Sequence, residues 1–431
     1  MDRWCQQLER YTRARIESGL CASEAPARST GELELQARFY AGEFGLAWRG
    51  TAGEQVEAIH LGEWNREAGP DFVGAKLLID GEESQGDIEL DPEDVDWERH
   101  GHALNPAFEN VVLHVFFRAG RKRFFTRTHR NTAIVQVALD ARTEGRSTAR
   151  SGANTPPVSQ EAVTALVDSA ARFRLGRKRE VWLRAEVLHG RREALFQALA
   201  AGMGYKNNKV PFLLVAQRVR LAHAASAGGE ALLFGIAGFL EAKRFDAGTD
   251  ATRGYSRRLW DEWWAIRDRE ARLQLPADAW SMGAQRPQNH PHRRMGALAA
   301  MAMNFESLER AVAKADASAF AKALAGLNHL FWQSRCSLDG SPLNPPCALI
   351  GTQRAVDLAA NILAPAAGIA AGEKILRGLR AGSPSGKVRR SMAWLGIESR
   401  SAASSFAHQG LIQVYEDFHP ADPGDLLDRI L

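Results

Sequence analysis

Apolar and polar residues change rhythm twice along this chain. Residues 33–44 carry Leu35, Phe39 and Tyr40 at helical spacing, which predicts a helix with one buried side. From Gln55 the pattern shortens to strand-length apolar runs bounded by turn residues, at 56–61, 75–79, 86–90, 111–117, 124–127 and 134–139. Asp80-Gly81, between the second and third of these, is a hairpin dipeptide, since both residue types tolerate positive φ. Residues 141–158 are rich in Ser, Thr, Gly, Ala and Pro and read as a linker. Beyond Ser159 the apolar spacing is helical throughout, clearest at 161–174, 179–201, 209–225, 231–240, 257–273, 293–303, 305–325, 353–363 and 403–418. No fixed repeat period joins these segments, which argues against a solenoid. The pattern predicts an α+β protein: a mixed-sheet α/β domain over 1–140, a linker over 141–158 and a larger all-α domain over 159–431.

Composition adds limits rather than a function. With 431 residues, 45% hydrophobic and 25% charged, the chain has ordinary globular composition and the length of two domains. A net charge of +4 is too small to indicate a polyanion partner, so clustering carries that argument. Arg118, Arg121, Lys122, Arg123, Arg127 and Arg130 form one basic cluster, and Arg172, Arg174, Arg177, Lys178 and Arg179 a second. Cys5, Cys21, Cys336 and Cys347 lack C-x-x-C spacing, which supports neither a zinc ribbon nor a disulfide framework. The first residues hold no apolar signal core and no apolar run approaches a membrane span, so the expected location is the cytoplasm, with no membrane partner.

The chemistry concentrates between Asn65 and Phe117. Asp71 follows a Gly69-Pro70 turn, and a hairpin's length later Asp87, Glu89 and Asp91 alternate with Ile88 and Leu90. Alternation puts the three acids on one strand face, where they repel each other unless water or a cation lies among them. Asp71 and Glu89 are therefore the leading metal ligands, with Asp87, Asp91 and His102 as further candidates. Carboxylate oxygens suit Mg²⁺, while imidazole from His100 or His102 shifts preference toward Mn²⁺ or Zn²⁺. His114, inside the apolar run 110–117, reads either as a proton-transfer group or as a hydrogen-bonded core residue. Arg286, Asn289, Arg293 and Arg294 precede a predicted helix, where they can hold a phosphate at its N-terminus or tie down helix ends from within. Arg121, Lys122 and Arg123 are the other phosphate-contact candidates.

Familiar signatures of other chemistries are missing. There is no G-x-S-x-G elbow and no H-E-x-x-H. Gly382 to Val388 is one residue short of a phosphate loop and lacks the Ser or Thr after Lys387. No Gly-rich dinucleotide fingerprint follows a strand. Hydride transfer and ATP-driven chemistry have little support.

In combination, Asn65, Gly69-Pro70-Asp71-Phe72, Gly86-Asp87-Ile88-Glu89, Trp97, His100-Gly101-His102 and Asn110 to Val115 resemble a bacterial family of unknown function, domain 2851. Further matching segments are Gly204 to Phe212, Gly235 to Leu240 and Arg286 to Pro291. Relatives tend to carry His two residues after the Glu, where this chain has Asp91, and to end in a cysteine cluster, where this chain has Phe418 to Asp425. The N-terminal half is also similar to the PD-(D/E)xK, restriction-endonuclease-like nucleases. That resemblance implies Asp71 and Glu89 as ligands of a catalytic Mg²⁺, with Glu32 or Glu34 as an accessory acid. It also implies a lysine where Asp91 stands, a role Lys76 can fill only if a bulge resets its strand face. The resulting expectation is a metal-dependent phosphodiesterase acting on nucleic acid. The alternatives are a degenerate nuclease fold kept as a binding or scaffolding module, and a Zn²⁺ or Mn²⁺ hydrolase of another substrate using His100, His102 and His114.

Overall fold

Alternating strand segments in the first third of the chain pair into one mixed sheet, and helices follow it. The fold is a computed structural model that describes residues 9, 11–12, 32–120, 126–139, 160–205, 207–241, 249–283, 286–398 and 402–418. Helix α1 (Glu32–Tyr40) precedes strands β1 (Ala47–Arg49), β2 (Gln55–His60), β3 (Glu63–Trp64), β4 (Phe72–Ile79) and β5 (Glu82–Glu93). Short helix α2 (Asp96–Arg99), β6 (Val111–Arg118) and β7 (Val135–Ala138) complete this part. The strand order is β1-β2-β4-β5-β6-β7, with β3 pairing the start of β4. Strands β1 to β5 pair antiparallel, whereas β5-β6 and β6-β7 are parallel. The expected mixed α+β architecture is present; the linker at 141–158 lies outside the described residues.

The hairpin between β4 and β5 turns at Asp80-Gly81, both with positive φ (52° and 87°), as the dipeptide predicted. Farther down the same hairpin, Phe72 pairs Ile88 but Ala75 pairs Gly86, so Val73 and Gly74 together oppose Asp87. This is a β-bulge, and Gly74 absorbs it with φ of 70°. Its consequence is that Phe72, Ala75 and Leu77 all point into the core and are fully buried. On that face Tyr40 and Phe72 stack with ring centroids 5.1 Å apart, and Trp64 meets Phe72 edge-on at 4.8 Å. Full burial of one such aromatic stabilises by about 1.5–3 kcal/mol.

The helical half begins with α3 (Gln160–His189), α4 (Arg191–Met203) and α5 (Lys209–Arg218). The sequence pattern suggested a break near Gly176; instead α3 runs through it and stops at Gly190, whose φ of 78° no helix can continue. A glycine in a helix interior costs only about 1 kcal/mol, and packing on both sides of Gly176 outweighs that. One buried cluster runs from Leu35 through the sheet and on through the helices to Ala366. Helix α1 and the turn after it are stitched to the helical half by Gln217 Nε2 donating to Ala37 O (2.9 Å), Arg184 Nε to Gly42 O (2.6 Å) and His189 to Tyr40 O (2.6 Å). Among the described residues no helix is long and apolar enough to cross a membrane.

Candidate metal centre

The parallel step from β5 to β6 needs a crossover, and residues 94–110 supply it with α2 and two short turns, His102–Leu104 and Pro106–Phe108. Trp97, Phe108, Val111 and Ile134 form a small separate core beneath this crossover. The anchoring places His100 and His102 above the carboxylates of β5.

Asp71 stands at the mouth of β4 beside Glu89, and the two are interlocked. The Asp71 backbone N–H donates to Glu89 Oε2 (3.0 Å), and the Leu90 N–H donates to Asp71 Oδ2 (3.1 Å). The other Asp71 oxygen accepts from Gln36 Nε2 (2.8 Å) on α1, and the same amide bonds Glu32 Oε1 at 3.0 Å. Asp91, two residues past Glu89, is 2% exposed. Its Oδ2 lies 3.1 Å from His114 Nε2, and its Oδ1 lies 3.2 Å from His100 Nδ1. Behind His114, Thr126 Oγ1 lies 2.8 Å from Nδ1 and itself accepts from Gln136 Nε2 at 2.6 Å. On its other side the ring faces the Asp91 carboxylate, which can only accept, so in the neutral ring the Thr126 hydroxyl donates to Nδ1. The His114 proton therefore sits on Nε2 and is donated to Asp91.

His102 is different. Its Nε2 comes within 3.1 Å of Glu89 Oε1, yet the buried nitrogen makes no hydrogen bond. The ring is held by stacking on Phe108 (4.0 Å, 25°) and by an edge contact with Trp97 (5.3 Å). A buried imidazole nitrogen without a partner is costly, and a carboxylate aimed at the same point makes a shared cation the natural occupant. Asp91, His100 and His102 bring one ligand atom each within 4.8 Å of one another. The donors thus fit a metal ion.

Electrostatics agree with that fit. Burial, reinforced by Glu89 and Glu32, raises the Asp71 carboxyl well above the usual range. Burial and then Asp91 do the same to Glu89, and burial followed by Asp91 raises Glu32. Burial lowers the His102 pKa, favouring the neutral ring that can ligate. Among the described residues no lysine or arginine forms an ion pair with Asp71, Glu89 or Asp91. All of these acids line an open cleft of about 490 Å³ with His100, His102 and Arg272. Arg272 comes from the helical half and donates to Gly69 O at 3.0 Å, so the cleft lies on the seam between the two halves.

Other candidates fall elsewhere. Asp87 is outside the cleft; it caps the bulge by accepting from Gly74 N at 3.0 Å. The bulge does bring Lys76 to the acid face, but opposite Gln85, four residues or about 13 Å along β5 from Glu89. Lys76 is exposed there and does not line the cleft. His114 is fully buried behind Asp91 and does not line the cleft. Arg293 is 1% exposed and spends its guanidinium on the carbonyls of Trp332, Arg335, Cys347 and Ala348. Asn289 accepts from Arg294 (2.7 Å), leaving Arg286 as the exposed member of that set. The helix-end reading of Arg293 and Asn289 is the one the contacts support. Arg121, Lys122 and Arg123 lie outside the described residues. Of the two implied accessory acids, Glu32 lines the cleft and Glu34 does not.

Apart from α1, the segments that build this centre fall inside a single family model. The chain belongs to the family described as protein of unknown function, DUF2851, which matches residues 46–375. The match takes in β1 to β7, the crossover histidines, Arg272 and most of the helical half, so the DUF2851 model spans both sides of the cleft. No curated protein and no solved structure matches the chain. Two contributors to this centre in the DUF2851 chain had little or no sequence signal. Gln36 is four residues from Glu32 on α1, a spacing that puts them on one face. Arg272 had none, being 203 residues from its partner Gly69.

Proposed function

We propose that this protein is a metal-dependent phosphodiesterase acting on nucleic acid. The observation that carries the reading is the buried His102 Nε2, without a hydrogen bond, set against Glu89 Oε1 in a cleft with Asp91 and His100. Glu89, Asp91, His100 and His102 would hold the ion, with Asp71 and Glu32 beside it. Two imidazoles among the ligands favour Mn²⁺ or Zn²⁺ over Mg²⁺. A dication there supplies Lewis acidity toward a phosphoryl oxygen.

The chain's own residues do the rest. The Gln136–Thr126–His114 relay fixes the Asp91 carboxylate, and Gln36 with the Leu90 N–H fixes Asp71. Arg272 uses one N–H on Gly69 and retains others at the cleft wall to pair phosphate charge. The nuclease-like resemblance is supported by the order of parts: a helix, an antiparallel meander with Asp71 at its second long strand and Glu89 on its third, then a crossover to a parallel strand. Nucleic acid as substrate rests on that resemblance and on exposed Arg118, Arg127 and Arg130 of the β6 side.

A second reading, a nuclease fold kept for binding alone, is favoured by one observation: the cleft is lined by no lysine among the described residues. Incubating the purified chain with single- and double-stranded DNA and RNA, under Mn²⁺, Zn²⁺ or Mg²⁺, separates the two. Cleavage that Asp71→Asn abolishes supports the phosphodiesterase. Salt-sensitive binding without cleavage under any of the three metals leaves only the binding module.

A further inference from the structure

A second and larger cavity, about 790 Å³, opens at the other end of α1, where Ala41 and Glu43 meet α3, α4, α5 and the segment 354–365. Helix α1 is nine residues long, so the two sites are separated by about 13 Å of helix. The floor is apolar, with Val181, Trp182, Leu213 and Leu358. The rim is not. Among the described residues it carries five basic side chains against three acidic ones.

Two of the basic groups are only weakly compensated for their enclosure. Lys178 Nζ donates to Gln409 Oε1 (2.8 Å) and to Asn361 Oδ1, both neutral. An ammonium has three N–H donors, so one remains, and no carboxylate ion-pairs with Lys178 among the described residues. Glu416, whose field reaches it, is already held by Arg174 (2.7 Å) and Lys387 (2.6 Å). Desolvation, then the field of Arg174, pushes the Lys178 ammonium well below the usual lysine range. Arg354 is similar. Its side chain is 16% exposed, its Nε has no partner, and its nearest acid contact, Asp357, is at 3.8 Å. The guanidinium carbon lies 3.8 Å from the Tyr205 ring centroid, a contact that holds the group in place without neutralising it.

Enclosed cations with so little counter-charge are expensive, and a cavity beside them is a natural place for an anion. The volume is far larger than an inorganic ion requires, and the apolar floor asks for a flat or hydrophobic moiety. We propose that this cavity binds a small organic phosphate of mononucleotide size, its phosphate on Lys178 and Arg354 and its ring on the Val181–Trp182–Leu213 floor. The proposal is independent of the metal centre.

The test is calorimetry and thermal melting of the full chain with AMP and, separately, inorganic phosphate. EDTA is present so that no cation bridges phosphate to the carboxylate cleft. AMP binds at one site and raises Tm, and inorganic phosphate binds more weakly because it leaves the floor uncovered. Lys178→Met lowers AMP affinity by about tenfold or more, and its ligand-free Tm does not fall, since an uncompensated cation is removed while Gln409 keeps Arg174 (2.9 Å). Arg354→Gln provides the same affinity test should the first variant not fold. Absence of AMP binding at millimolar concentration, or unchanged AMP affinity in the folded variants, overturns the proposal.

Discussion

His114 Nε2 lies 3.1 Å from Asp91 Oδ2, and neither residue has more than 2% of its surface exposed. The pair is the hinge between core and cleft: one Asp91 oxygen faces His114, and the other faces His100 and the proposed ion. His114→Phe removes the donor while keeping an aromatic ring against Trp97. Metal affinity is expected to fall about 10–100-fold with the circular-dichroism spectrum unchanged, as when an outer hydrogen bond to a ligand is lost. Calorimetric titration with Mn²⁺ reads it directly.

Arg293 is predicted to be a matter of stability alone. Its guanidinium closes the loop between Trp332 and Ala348 from inside, so Arg293→Met strands several buried carbonyls. A loss of about 3–5 kcal/mol is expected, measured by urea denaturation, with nucleic-acid affinity of the remaining folded protein unchanged.

Acid sensitivity has a named source in the helical half. Glu230 accepts from His329 (2.8 Å), Arg258 (2.8 Å) and Tyr255 (2.5 Å), and although burial opposes it, these partners hold its carboxyl down to about 2. A carboxylate with a depressed folded pKa adds stability in full above its ordinary value of 4.5, and that stability disappears as pH falls through 4.5 toward about 2. The contribution is about 3 kcal/mol. Denaturant midpoints at pH 6 and pH 3 should therefore differ less in Glu230→Gln than in the wild type.

Gly235, in one of the segments that carry the family resemblance, has a simple packing role. A Cβ there would sit 2.1 Å from the Trp263 ring, itself 1% exposed. Gly235→Ala should destabilise by about 1–3 kcal/mol through overpacking, visible as a lower Tm without loss of metal binding.

Much of the sheet was legible because a two-residue period and the Asp80-Gly81 dipeptide are local signals. Asp71, Glu89, Asp91 and the crossover histidines were legible for the same reason: they lie within one hairpin and one connection. Lys76 was misplaced because a bulge changes which face a residue takes but not how far along the strand it lies; only the register gives that distance. Long-range partners left no trace in the chain. Arg272 reaches Gly69 across 203 positions, and Arg293 reads as a phosphate ligand until the carbonyls around it are seen. A charged residue's role depends on what surrounds it, and spacing alone does not encode that.

The central claim is that the buried His102 nitrogen and its neighbouring carboxylates form a metal site. Calorimetric titration of the EDTA-treated, dialysed chain with Mn²⁺ and Zn²⁺, beside His102→Ala, tests it most directly. The account predicts one ion per chain in the wild type, tighter binding of both ions than of Mg²⁺, and an affinity loss of about tenfold or more in the variant. Absence of stoichiometric binding, or equal affinity in the two proteins, would contradict it.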